Sequence, residues 1–574
     1  MRLQISKTKN AASLYIVEST YDGRTGKRSN KVVKKLGTLA ELSKTHEDPV
    51  AYGKALASKM TEEEKTRKQR VVVTYDPSSQ ISKDNDILFN GGYLFLQQIY
   101  YALGLDRICG KIASFYKFQY DLNDILRTLV YGRILFPESK AATYEDAKKL
   151  LEAPGFEPHD IYRALEVLAR ENDRIQRELY QNSKKLLKRN DRILYYDCTN
   201  FFFEMEKEEG LKQYGLSKEH RPNPIVQLGL FMDADGIPLA FSLHPGNTNE
   251  QVTLKPLELQ IIKDFGKARF VVCTDAGLAS QANRQFNNIW GRAFITTQSI
   301  RKMKAFQKAW ALSPDGWKLP GQKTTFNLDQ VRNDPGAQEK YGDKTFYKER
   351  WFNEGGLEQR FIVTFSLKYK AYMENLRTKQ LSRAAKMLES GSVDRKRPTD
   401  PARFVEQLFF DGEGMICEQS VCYLNKDRIQ EEALYDGFYC SATNLEDEAE
   451  LILKVNRRRW EIEESFRILK SEFKARPVYL SRDDRITAHF MTCFLALYIF
   501  RILEKKTDER FTCEDLTRTL REMRFLEIPK EGFIPAYKRS DLTDALHEAF
   551  GFYTDYEIIK LADMRKIIRQ SKKS

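Results

Sequence analysis

Between Arg192 and Gln298 the chain changes period in a way that leaves few folds open. RILYYDCTNFFFE reads as a strand rich in β-branched and aromatic residues. PIVQLGLFMDADGIPLAFSLHPG reads as two more strands joined at Asp235-Gly236, a hairpin signal. LKPLELQIIKDFG has helical spacing and ends near Gly266. ARFVVCTDAG is a short apolar strand ending in Asp275, SQANRQFNNIW a helix, and AFITTQ another strand. A wholly apolar strand such as FVVC belongs in the middle of a sheet covered on both faces.

Three antiparallel strands followed by helix, strand, helix and strand is the order of a ribonuclease-H-like domain. The expected fold class is therefore α/β, with a mixed sheet and flanking helices. On either side the pattern differs. Residues 1–80 read as a β-rich basic domain, with a turn at Asp22-Gly23, a basic arm over Gly23–Lys35 and TEEEKTRKQR as a polar linker. Residues 85–190 read as amphipathic helices punctuated by Gly104, Pro137, Pro154 and Pro158, a helical domain that could hold a helix-turn-helix reader or equally be a scaffold. Residues 191–300 form the first part of the ribonuclease-H-like domain and 301–430 a strand-rich insertion. Residues 431–510 return to the ribonuclease-H-like domain and 511–574 form a helical C-terminal region. The insertion includes a basic helix near 370–386 and a Gly/Asp/Pro-rich stretch from Gly391 to Pro401.

Lys and Arg number 94 against 81 Asp and Glu, a net charge of +13 that suits a polyanionic partner. The eight cysteines show no CxxC pair and no Cys/His spacing suited to zinc. The first residues, MRLQISKTKN, contain no apolar signal core, and Phe490–Phe500 is about half a membrane span, read as a buried core helix. The expectation is a cytoplasmic protein with no membrane partner.

The segment NRRRWEIEESFRILKSEFK (Asn456–Lys474) carries the chemistry. In a continuous helix Arg459, Glu463 and Lys470 fall on one stripe, beside Ile462 and Phe466. Asn444 stands ahead of Glu446, Asp447 and Glu448 as the cap of that helix. Two more acids stand at telling places: Asp197 inside an apolar strand and Asp275 at a strand end. Each alone reads as an ordinary cap or turn residue, and Glu463 as half of an ion pair with Arg459. Together, in the order strand acid, strand-end acid, helix acid between cations, they suit metal-assisted phosphodiester chemistry, which needs about three carboxylates from separate elements.

This arrangement resembles the DDE transposases of bacterial insertion sequences, with their Y-x2-R-x3-E-x6-K signature. Arg459, Glu463 and Lys470 fit at that spacing, while Asn456 stands where the signature has Tyr. VVCTDAGLASQAN, YDGFYCSATN and the stretch from Tyr214 to Glu250 resemble further segments of that family. The resemblance implies Asp197, Asp275 and Glu463 as catalytic metal ligands for two Mg²⁺ or Mn²⁺ ions. It implies Asn456, Arg459 and Lys470 as DNA-binding residues. The implied partners are double-stranded DNA, both terminal inverted repeats and target DNA, and a second subunit in a homodimer. Glu464 is the rival third ligand, about 100° round the helix from Glu463. Trp310, Trp317 and Trp351 are candidates to stack on a displaced base, and His244 a weaker candidate base. Two other readings stay open: a ribonuclease-H-like nuclease that joins no strands, and a non-catalytic DNA-binding derivative.

Overall fold

The computed structural model describes residues 1–7, 12–21, 28–69, 71–73, 76–80, 83, 85–390, 399–409 and 420–573. The Asp22-Gly23 turn, the first part of the basic arm, residues 391–398 of the Gly/Asp/Pro-rich stretch and Cys417 lie outside them. The chain forms two compact units. One comprises Met1–Ile87, Phe525–Pro535 and Thr554–Arg565; the other comprises Leu88–Arg524, Ala536–Tyr553 and Lys566–Ser574.

In the first unit, strands Arg2–Lys7, Ala12–Tyr21 and Arg28–Thr38 form an antiparallel sheet in chain order. Alternation buries Leu14 and Ile16, and a register shift between Ile16 and Val17 lets the next residue, Val17, turn inward too. Helix Pro49–Gln69 packs on the first two strands. Gly53 makes that approach possible, since a Cβ there would lie 2.8 Å from a Leu3 methyl. This helix takes in most of TEEEKTRKQR, which is therefore no linker. Glu, Lys, Arg and Gln are strong helix formers even where no face is apolar.

The second unit is built on a ten-stranded mixed sheet. From one edge the order is Pro238–Pro245, Ile225–Asp233, Ile193–Phe202, Val271–Thr274, Ala293–Thr297, Phe438–Thr443, Leu357–Phe365, Phe346–Glu354, Trp317–Lys318 and Thr325–Phe326. The first three strands are antiparallel, with Gly236 at φ +76° in the hairpin. Val271–Thr274 and Ala293–Thr297 then run parallel to Ile193–Phe202, the expected ribonuclease-H-like order. The stretch read as an insertion supplies strands that continue this sheet through Phe438–Thr443. All nine residues of Ile225–Asp233 are buried, as a strand covered on both faces must be.

Helix Asp483–Lys506 is buried over most of its length and packs on Tyr93–Ala102, Leu122–Leu135, Pro158–Arg170 and the edge strand Pro238–Pro245. Its apolar stretch has the length of a membrane span, but lies inside the core. Phe201, Val226 and Leu228 of the sheet share that core with the N-terminal helices.

The long helix expected from Asp447 to Phe473 is divided. Ala449–Arg457 ends, Arg458 and Arg459 turn, Trp460–Arg467 follows, and Ile468–Glu472 is a π turn. Glu448, not Asn444, stands at the N-cap. The Asn444 side chain instead accepts from the Phe294 amide at 2.9 Å and donates to Asn288 Oδ1 at 2.7 Å. The π turn changes the helical register, so Lys470 is not placed by a continuous i, i+4, i+7 stripe.

Candidate active site

Sheet register brings the two aspartates together. Tyr195 pairs with Cys273 across the parallel strands, and Cys273 pairs with Ile295. Two residues further on come Asp197, in mid-strand, Asp275, just past the end of Val271–Thr274, and Thr297, the last residue of its strand. The two neighbouring parallel strands end here, where open α/β sheets bind ligands. Side chains alternate along a strand, so these residues share the face of Tyr195, Cys273 and Ile295. That face is covered by Ala449, Ile452 and Leu453 of helix Ala449–Arg457. The Tyr195 hydroxyl donates to the Val455 carbonyl at 2.9 Å. The segment that follows carries the third acid.

Asp197 is partly buried, and its Oδ1 accepts from its neighbour's amide, Cys198 N, at 2.8 Å. Burial pushes its carboxyl up to about 7; Lys218 and Arg459 oppose the rise, and the nearby Asp275 adds to it. Asp275 accepts from Leu278 N at 3.1 Å, closing the turn after its strand, while Ser280 caps the next helix. Arg459 donates to the Thr274 carbonyl at 3.3 Å and to Thr297 Oγ1 at 2.7 Å, and pairs with Glu463 at 3.7 Å. Thus one guanidinium links the ends of two strands to the helix acid. Glu463 is exposed, and the carboxylates of Asp197, Asp275 and Glu463 do not all lie within 4.8 Å of one another. Glu464, the rival, is drawn to Arg467 at 3.4 Å and Arg501 at 3.5 Å.

Lys470 Nζ pairs with Glu219 at 3.2 Å and lies 5.7 Å from the Phe201 ring centroid. Burial, with Lys218 nearby, pushes its ammonium down to about 8, and Asp197 opposes the fall. Asn456 does not face outward as a DNA ligand. It is buried, and its amide donates to the Tyr439 hydroxyl at 3.1 Å and Ser441 Oγ at 3.0 Å. The direct phosphate contact expected of Asn456 is replaced by an internal one, because the helix breaks only after Arg457.

Other candidates fall away from the chemistry. Trp317 is fully buried and donates to the Ser313 carbonyl at 2.9 Å, so it is a core residue and cannot stack on a base. Trp310 packs edge-on against Phe352 at 5.3 Å, while Trp351 keeps a partly exposed face. His244 lies on the edge strand with Nε2 2.9 Å from Ser242 Oγ, and burial lowers its pKa. In the basic helix Leu367–Glu389, Arg377 is held bidentately by Asp436 and Lys370 pairs with Glu374, which removes Arg377 from a free phosphate-tracking face.

Residues that pattern reading missed are Thr297, Tyr439, Lys218 and Glu219. They enter through sheet register and a turn, and neither leaves a periodic mark in sequence.

The model of the transposase DDE domain matches residues 191–499, which includes both aspartates, Arg459, Glu463 and Lys470. The chain belongs to the DDE transposase family. Among solved structures it is similar to the piggyBac transposase synaptic complex with hairpin DNA, at 8% identity over 82% of this chain and 86% of that one, with a TM-score of 0.35. It is also similar to the Mos1 transposase paired-end complex with left transposon end, at 14% identity over 43% and 68%, with a TM-score of 0.13. No curated protein matches.

As metal ligands the acids of this DDE transposase fit by their donor set. Asp197 is a desolvated carboxylate whose hydrogen bond from Cys198 leaves acceptor capacity, and Asp275 adjoins it. A buried carboxylate near a second one is unfavourable until a cation joins them. Glu463, on the outer helix face, is the solvent-exposed member of the three.

Proposed function

We propose that this chain is the transposase of a bacterial insertion sequence, and that Asp197, Asp275 and Glu463 hold two divalent ions, Mg²⁺ or Mn²⁺. It would bind the terminal inverted repeats, hydrolyse the phosphodiester at the element ends and join the 3′-hydroxyl to target DNA. The observation that carries this reading is the adjacency of Asp197 and Asp275 in register on parallel strands, with Arg459 bridging from Thr274 and Thr297 to Glu463.

When bound, the ions supply Lewis-acid stabilisation of charge on the phosphate being cut. The chain's own residues do the remainder. Asp197 and Asp275 are fixed by rigid strands, so the ligand set is preorganised on one side. Arg459 neutralises part of their charge and presents a planar donor to DNA. Lys470, already desolvated, adds a second cation beside Asp197. Asn456 acts from within, by orienting Tyr439.

In this reading the helices of residues 85–190 bind the element ends, the strands of 301–430 brace the cut end, and the active form is a homodimer on paired ends. The protein works in the bacterial cytoplasm, at the nucleoid.

The test uses the full chain and a plasmid bearing the DNA that flanks its gene. Asp197→Asn, Asp275→Asn and Glu463→Gln should each abolish metal-dependent cutting while leaving end binding nearly intact. Cutting by Asp275→Asn at the parent rate would sink the assignment. Strand-transfer products distinguish a transposase from a nuclease that only cuts.

A further inference from the structure

Lys218 lies outside the signature, yet the fold delivers it to the residue beside Asp197. Its Nζ is 2.5 Å from the Cys198 carbonyl oxygen and 2.8 Å from Glu250 Oε1. The turn that carries it is pinned to the Asp197 strand at both ends of one side chain. Asn200 donates to the Leu216 carbonyl at 3.1 Å and accepts from the Lys218 amide at 3.3 Å. Two glycines let the same turn pack against the segment that follows the edge strand. A Cβ on Gly215 would stand 1.9 Å from the Gly246 carbonyl oxygen, and one on Gly246 would stand 2.3 Å from the carbonyl oxygens of both Gln213 and Ile225. Backbone meets backbone here, and no larger residue fits without moving the turn.

The next residue, Glu219, pairs with Lys470 at 3.2 Å and also with Arg476. The dipeptide Lys218-Glu219 therefore fixes two ammonium groups near Asp197, one directly and one through Glu219. Lys218 is 40% exposed at its side chain, so it can meet a ligand from solvent. An ammonium has three donors, and the two contacts described leave one. A solvated surface lysine has no reason to anchor on the main chain of a metal-ligand strand.

We infer that Lys218 is a further phosphate-contacting residue of the site: its ammonium binds a DNA backbone phosphate beside Asp197, and Glu250 holds it in place until DNA arrives. This rests on the transposase reading. It adds to Arg459 and Lys470 a third cation, contributed by the sheet side of the site and not by the helix.

The experiment measures single-turnover cutting of the flank-bearing plasmid by the full chain with Mg²⁺, alongside end binding over a range of salt. Lys218→Ala should slow cutting by about 100-fold, the scale for losing one transition-state donor. Lys218→Arg should recover it to within about tenfold, since the charge and a donor return. The slope of log affinity against log salt should fall by about 0.9 for the lost phosphate contact. Glu250→Gln should lose far less than Lys218→Ala, because the Cys198 carbonyl still holds the ammonium. Equal losses for the two variants, with an unchanged salt slope, would mean a structural ion pair and overturn the inference. A parent chain that cuts while Lys218→Ala cuts equally fast overturns it alone. A parent chain that neither binds nor cuts the plasmid overturns the transposase reading and this inference with it.

Discussion

Tyr439 and Asn456 meet at 3.1 Å beneath the candidate site, and the Tyr439 hydroxyl also lies 2.5 Å from Thr297 Oγ1, the atom to which Arg459 donates. Arg459 is thus held by a relay that starts at the buried first position of the signature. Asn456→Ala leaves the buried Ser441 hydroxyl without its donor and weakens the hold on Tyr439. The expected loss is about 1–3 kcal/mol of stability. Because Arg459 loses its support, cutting should fall by roughly tenfold, a preorganisation effect on the scale of one hydrogen bond, with end affinity little changed. Thermal melting and single-turnover cutting, run on the same preparation, check both. Tyr439→Phe keeps the ring and should reproduce the cutting defect with a smaller loss of stability.

The Asp197 carboxyl gives a pH dependence with a definite sign. Its ordinary pKa of 3.8 is raised to about 7, first by burial. Between about pH 4 and pH 7 the folded, metal-free chain therefore keeps a proton that the unfolded chain has released. That contribution to stability is full below the unfolded value and is lost as pH rises through about 7. Asp197→Asn has no such loss. At pH 8 the metal-free variant should be more stable than the parent by roughly 2–4 kcal/mol, since each tenfold change in proton affinity is worth about 1.4 kcal/mol, and the gap should close towards pH 4. Denaturant midpoints at the two pH values decide it. Divalent ions require the ionised form, so Mn²⁺ binding should release protons and strengthen as pH rises towards 7.

How far sequence led is clear from particular residues. The order of strands from Ile193 to Thr297 was legible because alternating and continuous apolar runs are local signals. Asp197 and Asp275 could be picked out only together with Glu463, by their order along the chain, because each alone reads as a cap or turn residue. Their adjacency was not legible, since it comes from the register of Tyr195 on Cys273, a long-range pairing. The single long helix was misread for a related reason. Helix formers fill Asp447 to Phe473, but packing breaks the rod at Arg458 and Arg459 and inserts a π turn at Ile468–Glu472. In the insertion QRFIVTFS has the pattern of a strand and lies in Leu357–Phe365, while the neighbouring strand Phe346–Glu354 was not legible, and the joining of both to the main sheet depends on pairing with Phe438–Thr443.

Three successive carbonyls just past the π turn are fixed from the helical core. Arg133, itself buried, donates to the Phe473 carbonyl at 3.1 Å and the Lys474 carbonyl at 3.3 Å. His489 Nε2 lies 3.1 Å from the Ala475 carbonyl oxygen, and burial beside Lys140 and Arg133 keeps its ring neutral, so that nitrogen is the donor. These contacts set where Lys470 ends up. Arg133→Met retains bulk but leaves both carbonyls unpaired in the interior. A loss of about 2–4 kcal/mol is expected, as for two buried acceptors. Cutting by the fraction that remains folded should slow as well. Melting curves and cutting assays at a temperature well below the variant's midpoint separate the two effects.

Two glycines in the sheet region predict opposite outcomes. A Cβ on Gly229 would meet the Tyr196 hydroxyl at 2.2 Å, a side-chain atom bonded to Thr253 Oγ1 at 2.8 Å. Gly229→Ala therefore overpacks the face away from the aspartates, where a ring can tilt. It should cost about 1–3 kcal/mol of stability and leave cutting by the folded chain close to the parent rate. A Cβ on Gly246 meets two backbone carbonyls, and relief requires the turn from Gln213 to Lys218 to move. Gly246→Ala should therefore impair cutting as severely as loss of the turn's contacts with Asn200, even where the protein still folds. Equal cutting by the two variants, compared at matched folded fraction, would show that the turn's position does not matter to the site.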